Sequence, residues 1–470
     1  MNPTTQLALL LAYSIGLTVF GVWVGRRVRG SADFFVAGRT LTAPLVFSTV
    51  LAANIGAGTT IGAAGQAYVD GVSAWFWNGA AGLGSLVLAF WIGPKLWQAA
   101  ADHGFLTAGD YLEFRYGPLV RGVISSLIWI GTLAILAGQL IAGAAVLTAV
   151  ADIPRPIGAA IGGIAMTVYF TAGGLLSSAW VNAVQLGVLL VGLVVAVPLA
   201  LSAAGGLDAI AATPGLPATF WDPWYSSGPG SGYAFLALLG PAFVISPGLI
   251  QKAYGAESQR AVRLGIGAAG IAQMLFAFVP LLLGLAARHL HPEVTERDLV
   301  LPTLLVQSLP WFLGTVGLAA VFSAEVSTCD AILFMLSTSL SQDLYKRFLN
   351  PSASDRQVLA VARGAAIFGG LAGVLLAVQL PNVIAALSIF YSLLGVSLFV
   401  PIVAGLYVAR AGTPEALAAV ATGIATLLYL RLQPWSAGSV WFNPSLAGLM
   451  AAAVAFFLVA AVRRPAPTSR

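Results

Sequence analysis

Apolar residues follow one another along this chain in long runs, separated by short joints of charged, proline or glycine residues. The runs are continuous and rich in Gly, Ala and Leu, without the alternating strands of about ten residues that mark an outer-membrane barrel. Breaking the chain at its joints gives thirteen apolar segments, near 5–25, 44–66, 71–99, 121–149, 155–176, 178–203, 233–254, 259–288, 310–342, 358–378, 381–409, 414–432 and 441–463. A helix needs about 20 apolar residues to cross a ~30 Å hydrocarbon layer. The pattern therefore predicts an all-α polytopic membrane protein of 13 transmembrane helices, one transmembrane domain over 1–470. Composition agrees, because only 8% of residues are charged and 59% are hydrophobic. A soluble domain carries about a quarter charged residues, and a disordered chain has low hydrophobicity.

Charge orients the segments. The first runs into Arg26, Arg27 and Arg29 with no cleavage-like site, so it reads as a retained helix. With the N-terminus outside, every Lys and Arg except Arg155, Arg288, Arg297 and Arg431 falls on the cytoplasmic side. This places the C-terminus inside, in a plasma (inner) membrane. The same loops explain the basic pI and leave no case for a nucleic-acid partner. The outer loop 204–232 lacks Lys and Arg and carries Trp221, Trp224 and Tyr225, which suits an interface cover. Cys329 is the single cysteine, and His103, His289 and His291 lie outside the apolar runs. Disulfides, cysteine clusters and a His-based enzyme are thereby disfavoured. No G-x-x-x-x-G-K-[ST] loop supports an ATPase. The chain is not expected to be an enzyme.

Two segments are broken in their interiors. Segment 2 contains Ala52-Ala53-Asn54-Ile55-Gly56-Ala57-Gly58-Thr59-Thr60, and segment 7 contains Gly240-Pro241-Ala242-Phe243-Val244-Ile245-Ser246-Pro247-Gly248. At mid-membrane depth, freed backbone groups are tolerable only inside protein or beside a water-filled cavity. The two segments are five spans apart and so run in opposite directions. That is the mark of an inverted repeat with discontinuous helices around a central ion and solute site.

Among the acids, only Glu325 and Asp330 fall deep within a segment, and carboxylates at such a depth are costly. At 100° per residue, Ala324, Ser327 and Thr328 share one face, Asp330 sits at its edge and Glu325 turns mostly away. Two hydroxyls and the Ala324 carbonyl offer hard oxygen ligands, which carbonyls freed in segment 2 can complete to a sodium-sized cage. Asp330 is expected to be buried without a paired base. The competing mechanism is a proton-coupled symporter or exchanger using Glu325 or Asp330.

These residues, with Asp343-Leu344-Tyr345-Lys346-Arg347, Tyr169-Phe170-Thr171-Ala172-Gly173-Gly174-Leu175, Trp180-Val181-Asn182-Ala183-Val184-Gln185, Gln251-Lys252-Ala253-Tyr254 and Pro401-Ile402-Val403-Ala404-Gly405-Leu406, resemble the sodium:solute symporter family. The resemblance runs in order along nearly the whole chain. It implies a LeuT-type five-plus-five inverted repeat, with repeat 1 over 44–203, repeat 2 over 233–409, one extra helix at 5–25 and two over 414–463. It also implies Na+ as coupling ion, held by the carbonyls of Ala52, Ile55 and Ala324 and the hydroxyls of Ser327 and Thr328. Family members often have an aspartate where this chain has Asn182, so Asn182, Glu325 and Asp330 form a candidate second ion or proton site. The implied activity is Na+-driven uptake of a small organic solute by alternating access, by a monomer in the lipid bilayer.

Candidate solute contacts follow from the breaks and the residues facing them. Thr59 and Thr60 follow the gap in segment 2, and Phe243 and Ser246 sit at the break in segment 7. Trp75, Trp77 and Asn78 resemble substrate-contacting positions of sugar-transporting members, and Tyr391 is placed to gate from below. No basic residue is expected to line the cavity. These residues leave the solute open among a sugar, an amino acid, a monocarboxylate and a quaternary amine.

Overall fold

The computed structural model describes residues 3–25, 36–170, 174–225, 232–433 and 443–463. Arg26, Arg27, Arg29, Thr171, Ala172, Gly173, Arg464 and Arg470, used in the sequence reading above, lie outside the described residues. With no water in hydrocarbon to satisfy backbone groups, apolar runs become helices. The described residues are almost wholly helical, and their β pairing is one isolated bridge between Leu41 and Ala256.

The first half comprises α1 (Pro3–Gly25), α2 (Ala43–Asn54), α3 (Ile61–Asp70), α4 (Trp75–Val87), α5 (Gly93–His103), α6 (Ala108–Tyr116), α7 (Pro118–Ala151), α8 (Arg155–Phe170) and α9 (Gly174–Ala203). The second comprises α10 (Gly232–Val244), α11 (Pro247–Tyr254), α12 (Gln259–Phe276), α13 (Phe278–Leu290), α14 (Trp311–Thr338), α15 (Asp355–Gln379), α16 (Val383–Tyr407), α17 (Thr413–Arg431) and α18 (Pro444–Val462). Among the described residues, 10 helical stretches are long and apolar enough to cross a membrane. The sequence count of thirteen differs from this in three places. Two of them are α1, a helix of 23 residues, and α8, of 16 residues, which border residues outside the described ones. The stretch Ala57–His103 is continuous but folds back at Gly71, where φ is +75°. There α2 and α3 pack in turn on α12 and α13, whereas α4 and α5 both return along α12. A side chain at Gly71 would strike the Phe220 carbonyl, so the loop after α9 closes over this turn. Trp224 adds a ring contact to Phe76 at 4.9 Å between centroids.

Helix α14 is the most enclosed part of the bundle, with every residue from Ser323 to Ser339 buried. It packs against α9, α7, α15 and α2. Near its middle, the Tyr13 and Ser323 hydroxyls hydrogen-bond, which ties α1 to it.

Charges gather where α6, α7 and the residues after α14 meet. Arg121, in the first turn of α7, pairs with Asp110 at 2.8 Å, Glu113 at 2.9 Å and Asp343 at 2.7 Å. The Thr107 hydroxyl donates to Asp343 at 2.6 Å, and Arg347 reaches Glu113 at 2.6 Å. At the other end of α7, Arg155 donates to the carbonyls of Ala377 and Leu380, closing the end of α15. Nearby, the buried Asp298 carboxylate accepts the Val383 N–H at 3.2 Å at the start of α16. Burial raises its pKa, and the opposing pull of that N–H and of Arg155 leaves it at about 6.

Arg121→Gln should destabilise the protein by about 3–5 kcal/mol, because it strands buried carboxylates. Arg347→Ala, at a side chain 40% exposed, should cost less than about 1 kcal/mol. Thermal unfolding in detergent measures both, and equal losses would contradict the burial of the Arg121 cluster. For Asp298 the native value, about 6, lies above the unfolded value, 3.8. The native state therefore binds the extra proton between them, and stability falls as pH rises through that window. Melting temperature should accordingly gain from acidification through pH 6 in the wild type more than in Asp298→Asn. Matching pH profiles would remove Asp298 from this role.

Candidate functional site

Helix α2 ends at Asn54, and the chain then extends through Ile55 (φ −95°, ψ 93°) and Gly56 (φ −131°, ψ −155°). A short 3₁₀ turn, Ala57–Thr59, leads into α3. The last carbonyls of a helix have no partner within it, and at this depth water cannot supply one freely. Ile55 N–H takes the Leu51 carbonyl at 2.9 Å. The carbonyls of Ala52 and Ala53 turn instead to α14. Ser327 Oγ lies 2.9 Å from the Ala52 oxygen and 3.0 Å from the Ala324 oxygen, within donating distance of both. Thr328 Oγ1 lies 3.3 Å from the Ala53 oxygen and 3.5 Å from that of Ala52.

Four of the five predicted sodium ligands, Ala52, Ala324, Ser327 and Thr328, thus meet at one point through oxygen atoms. Ile55 is buried at the adjacent extended residue. Two further groups escaped the sequence reading. Ala53 contributes a freed carbonyl, which the rule of unsatisfied helix ends could have flagged. Gln139 of α7 accepts the Ala57 N–H at 2.8 Å and steadies the 3₁₀ turn. Its signal was a single amide side chain within a 34-residue apolar helix. Carbonyl and hydroxyl oxygens suit a hard cation, and none of these ligands carries a charge. Among the described residues, no cluster of His, Cys, Asp and Glu could hold a metal ion.

Beside these oxygens lies a cavity with about 50 Å³ of free volume. It forms where α2 and α10 break, for α10 stops at Val244 and α11 begins with Pro247 at its first turn, which needs no N–H there. Pro241 stays inside α10. Of the predicted solute contacts, Thr59, Phe243, Ser246 and Tyr391 line the cavity, together with Thr328. Thr60, Trp77 and Asn78 stand behind its wall. Thr60 donates to the Gly56 carbonyl at 2.9 Å, and Asn78 to the Thr59 carbonyl at 3.0 Å. Trp77 packs edge-on against Tyr391 and Phe235, at 6.2 and 5.6 Å between ring centroids. Trp75 contacts Phe278 instead.

The charged residues require two corrections. Lys252, read as part of a solvent-facing loop, is 2% exposed and lines the cavity from the last turn of α11. The cavity therefore does contain a basic group. Asp330, expected to lack a paired base, acts electrostatically on that same Lys252. The reason is tertiary: Lys252 follows the break in segment 7 and is carried inward against α14 and α2 rather than out to water. Glu325 points towards Gly143 of α7. Asn182 is buried in α9, which packs along α14. Neither Glu325, Asp330 nor Asn182 lines the cavity. Cys329 is buried.

A Cβ at Gly56 would overlap Thr328 Oγ1 and lie 2.8 Å from Gln139 Oε1. Gly56→Ala should therefore push Thr328 off the α2 carbonyls and weaken the binding of a sodium ion among these oxygens, as the sequence leads one to expect, at least tenfold, about 1.4 kcal/mol. Equilibrium binding of radioactive sodium to purified protein tests this, with Gly364→Ala, at an exposed helical position with open space around it, as control. Equal affinities in the two variants would dissociate Gly56 from the ion.

The family model of the sodium:solute symporter family matches residues 34–423. The sodium/pantothenate symporter of Escherichia coli (strain K12) is 30% identical over 478 residues, covering 96% of this chain and 95% of the relative. The sodium/glucose cotransporter of Vibrio parahaemolyticus is 25% identical over 477 residues, covering 91% of this chain and 85% of the relative. Among solved structures, a Na+-coupled sialic acid symporter in a substrate-bound outward-open state superposes with a TM-score of 0.83 at 20% identity, covering 98% of each chain. That structural likeness speaks to the fold, and the family model and the relatives speak to descent. With helices broken at two places around a carbonyl- and hydroxyl-lined site, this chain is a member of the sodium:solute symporter family.

Proposed function

We propose that the protein couples inward Na+ flow to the uptake of a small organic solute by alternating access. In this reading it is a transporter rather than an enzyme and works as a monomer in a plasma or inner membrane. It spans the bilayer thirteen times, with its N-terminus outside and its C-terminus in the cytoplasm. Residues 44–203 and 233–409 form the two inverted repeats, preceded by 5–25 and followed by 414–463. The ion is held by Ala52, Ile55, Ala324, Ser327 and Thr328.

One observation carries this reading: the Ser327 and Thr328 hydroxyls meet the carbonyls released where α2 ends. These groups already satisfy one another at hydrogen-bond distance, and a bare monovalent cation can replace the hydroxyl protons as their common partner. Because α2 and α14 supply opposite sides of the site, binding of the ion joins the two helices. Thr328 also faces the cavity, so ion and solute share a wall, which is the physical basis for coupling. Glucose and pantothenate, the solutes in the names of the two relatives, differ chemically while the ion is the same.

A second reading, proton coupling, draws support from Glu325. It is fully buried, and among the described residues neither carboxylate oxygen has a hydrogen-bond partner.

Removing one oxygen ligand from a charged guest costs about 1.5–3 kcal/mol, or roughly 10–100-fold in affinity. Ser327→Ala and Thr328→Ala should each raise the Na+ concentration for half-maximal uptake within that range. Unchanged Na+ dependence in both variants would sink the assignment. Uptake driven by a proton gradient without Na+, and lost in Glu325→Gln, would replace sodium with the proton.

A further inference from the structure

Lys252 is the one ammonium among the residues lining the cavity. It belongs to α11, where Gly248 and Leu249, one turn earlier, line the same space. Among the described residues the ammonium has no hydrogen bond and no ion pair within 4 Å to the protein. The acid that acts on it, Asp330, does not line the cavity. A buried ammonium loses its hydration, and only well-placed acceptors repay that loss. A methionine or leucine would fill the place without this cost.

The cavity carries a second positive demand. Thr328, whose hydroxyl faces the α2 carbonyls, lines the cavity too, and the candidate ion ligands are all uncharged. With sodium bound, the cavity would hold a cation on one wall and an ammonium on another, and Asp330 is the acid that acts on the ammonium. The start of α11, at Ser246 and Gly248, adds the positive end of a helix dipole. A cationic solute meets repulsion from each of these, and a neutral solute leaves them uncompensated. A carboxylate offsets them. The remaining wall, with Phe243, Ile332, Met335, Leu387, Phe390 and Tyr391, suits an apolar body.

We infer that Lys252 anchors the carboxylate of a small monoanionic solute whose apolar part lies against the Phe243–Tyr391 wall. This inference rests on the symporter reading and deepens it by assigning the class of solute. The solute's carboxylate then meets the Lys252 ammonium, and its charge offsets that of the Na+.

The experiment uses the full-length protein in proteoliposomes with an inward Na+ gradient. Labelled acetate, propionate, lactate and pyruvate are compared with their amides, and with glucose and choline. A separate measurement records binding of radioactive sodium without solute. At least one acid should be taken up, its amide at least tenfold less well. Lys252→Met should raise the KM for that acid at least tenfold, and Lys252→Arg should recover part of the loss. If Lys252→Met fails to fold, shown by absent sodium binding, the acid–amide comparison on the wild type decides alone. Equal uptake of acid and amide, an unchanged KM in Lys252→Met, or sodium binding with no uptake of any acid overturns the inference. Failure of the wild type to bind sodium overturns the symporter reading instead.

Discussion

The interaction on which the rest depends is the meeting of two freed carbonyls with two hydroxyls in the middle of the bundle. Where α2 stops at Asn54, the oxygens of Ala52 and Ala53 lose their helical partners. Hydrocarbon cannot satisfy them, so protein must. Ser327 and Thr328 are the answer in this structure, and they can only reach because α14 is enclosed on all sides by α2, α7, α9 and α15. The same need accounts for Gln139 on α7, which takes the Ala57 N–H, and for Gly56, whose missing side chain lets Thr328 approach. Removing Thr328 strands the Ala53 oxygen, and removing Gln139 strands the Ala57 N–H.

The buried charges fall into two kinds. Around Arg121 the pairing is dense, with Asp110, Glu113 and Asp343 at salt-bridge distance, and the cluster joins α6, α7 and the residues after α14. Such a cluster has its acceptors close by and holds elements together. Lys252 has a carboxylate acting on it from outside the cavity and open space in front of it. The first kind is structural, because its partners are protein. The second is available to something that enters.

Cavity size bears on how a carrier of this kind works. About 50 Å³ of free volume is little more than the space of a water or two. A solute with several carbon atoms needs the walls to move apart. The walls come from helices interrupted next to the cavity, α2–α3 and α10–α11, where a change of angle costs few backbone hydrogen bonds. The long unbroken helices α7, α14 and α16 supply the rest of the frame. The breaks are therefore both the source of the freed carbonyls and the places where the bundle can bend.

How much of this was legible follows from what each feature depends on. Hydrophobic thickness is a local, one-dimensional demand, so the helices and their joints could be read directly from apolar runs. Glycines and prolines interrupt hydrogen bonding wherever they stand, which made the breaks near Gly56 and Pro247 visible as well. Ser327 and Thr328 stood out because hydroxyls beside buried acids are costly in such a run. Other features depend on which neighbour a side chain meets. Trp77 and Asn78 lie near the cavity in sequence terms, yet packing against Tyr391 and Thr59 sets them behind its wall. Lys252 looked like the first charge of a loop. Only the inward path of α11 against α14 and α2 turned its ammonium into the cavity. Periodicity within one segment describes angles around its own axis, and the zero of that angle is set by contacts hundreds of residues away.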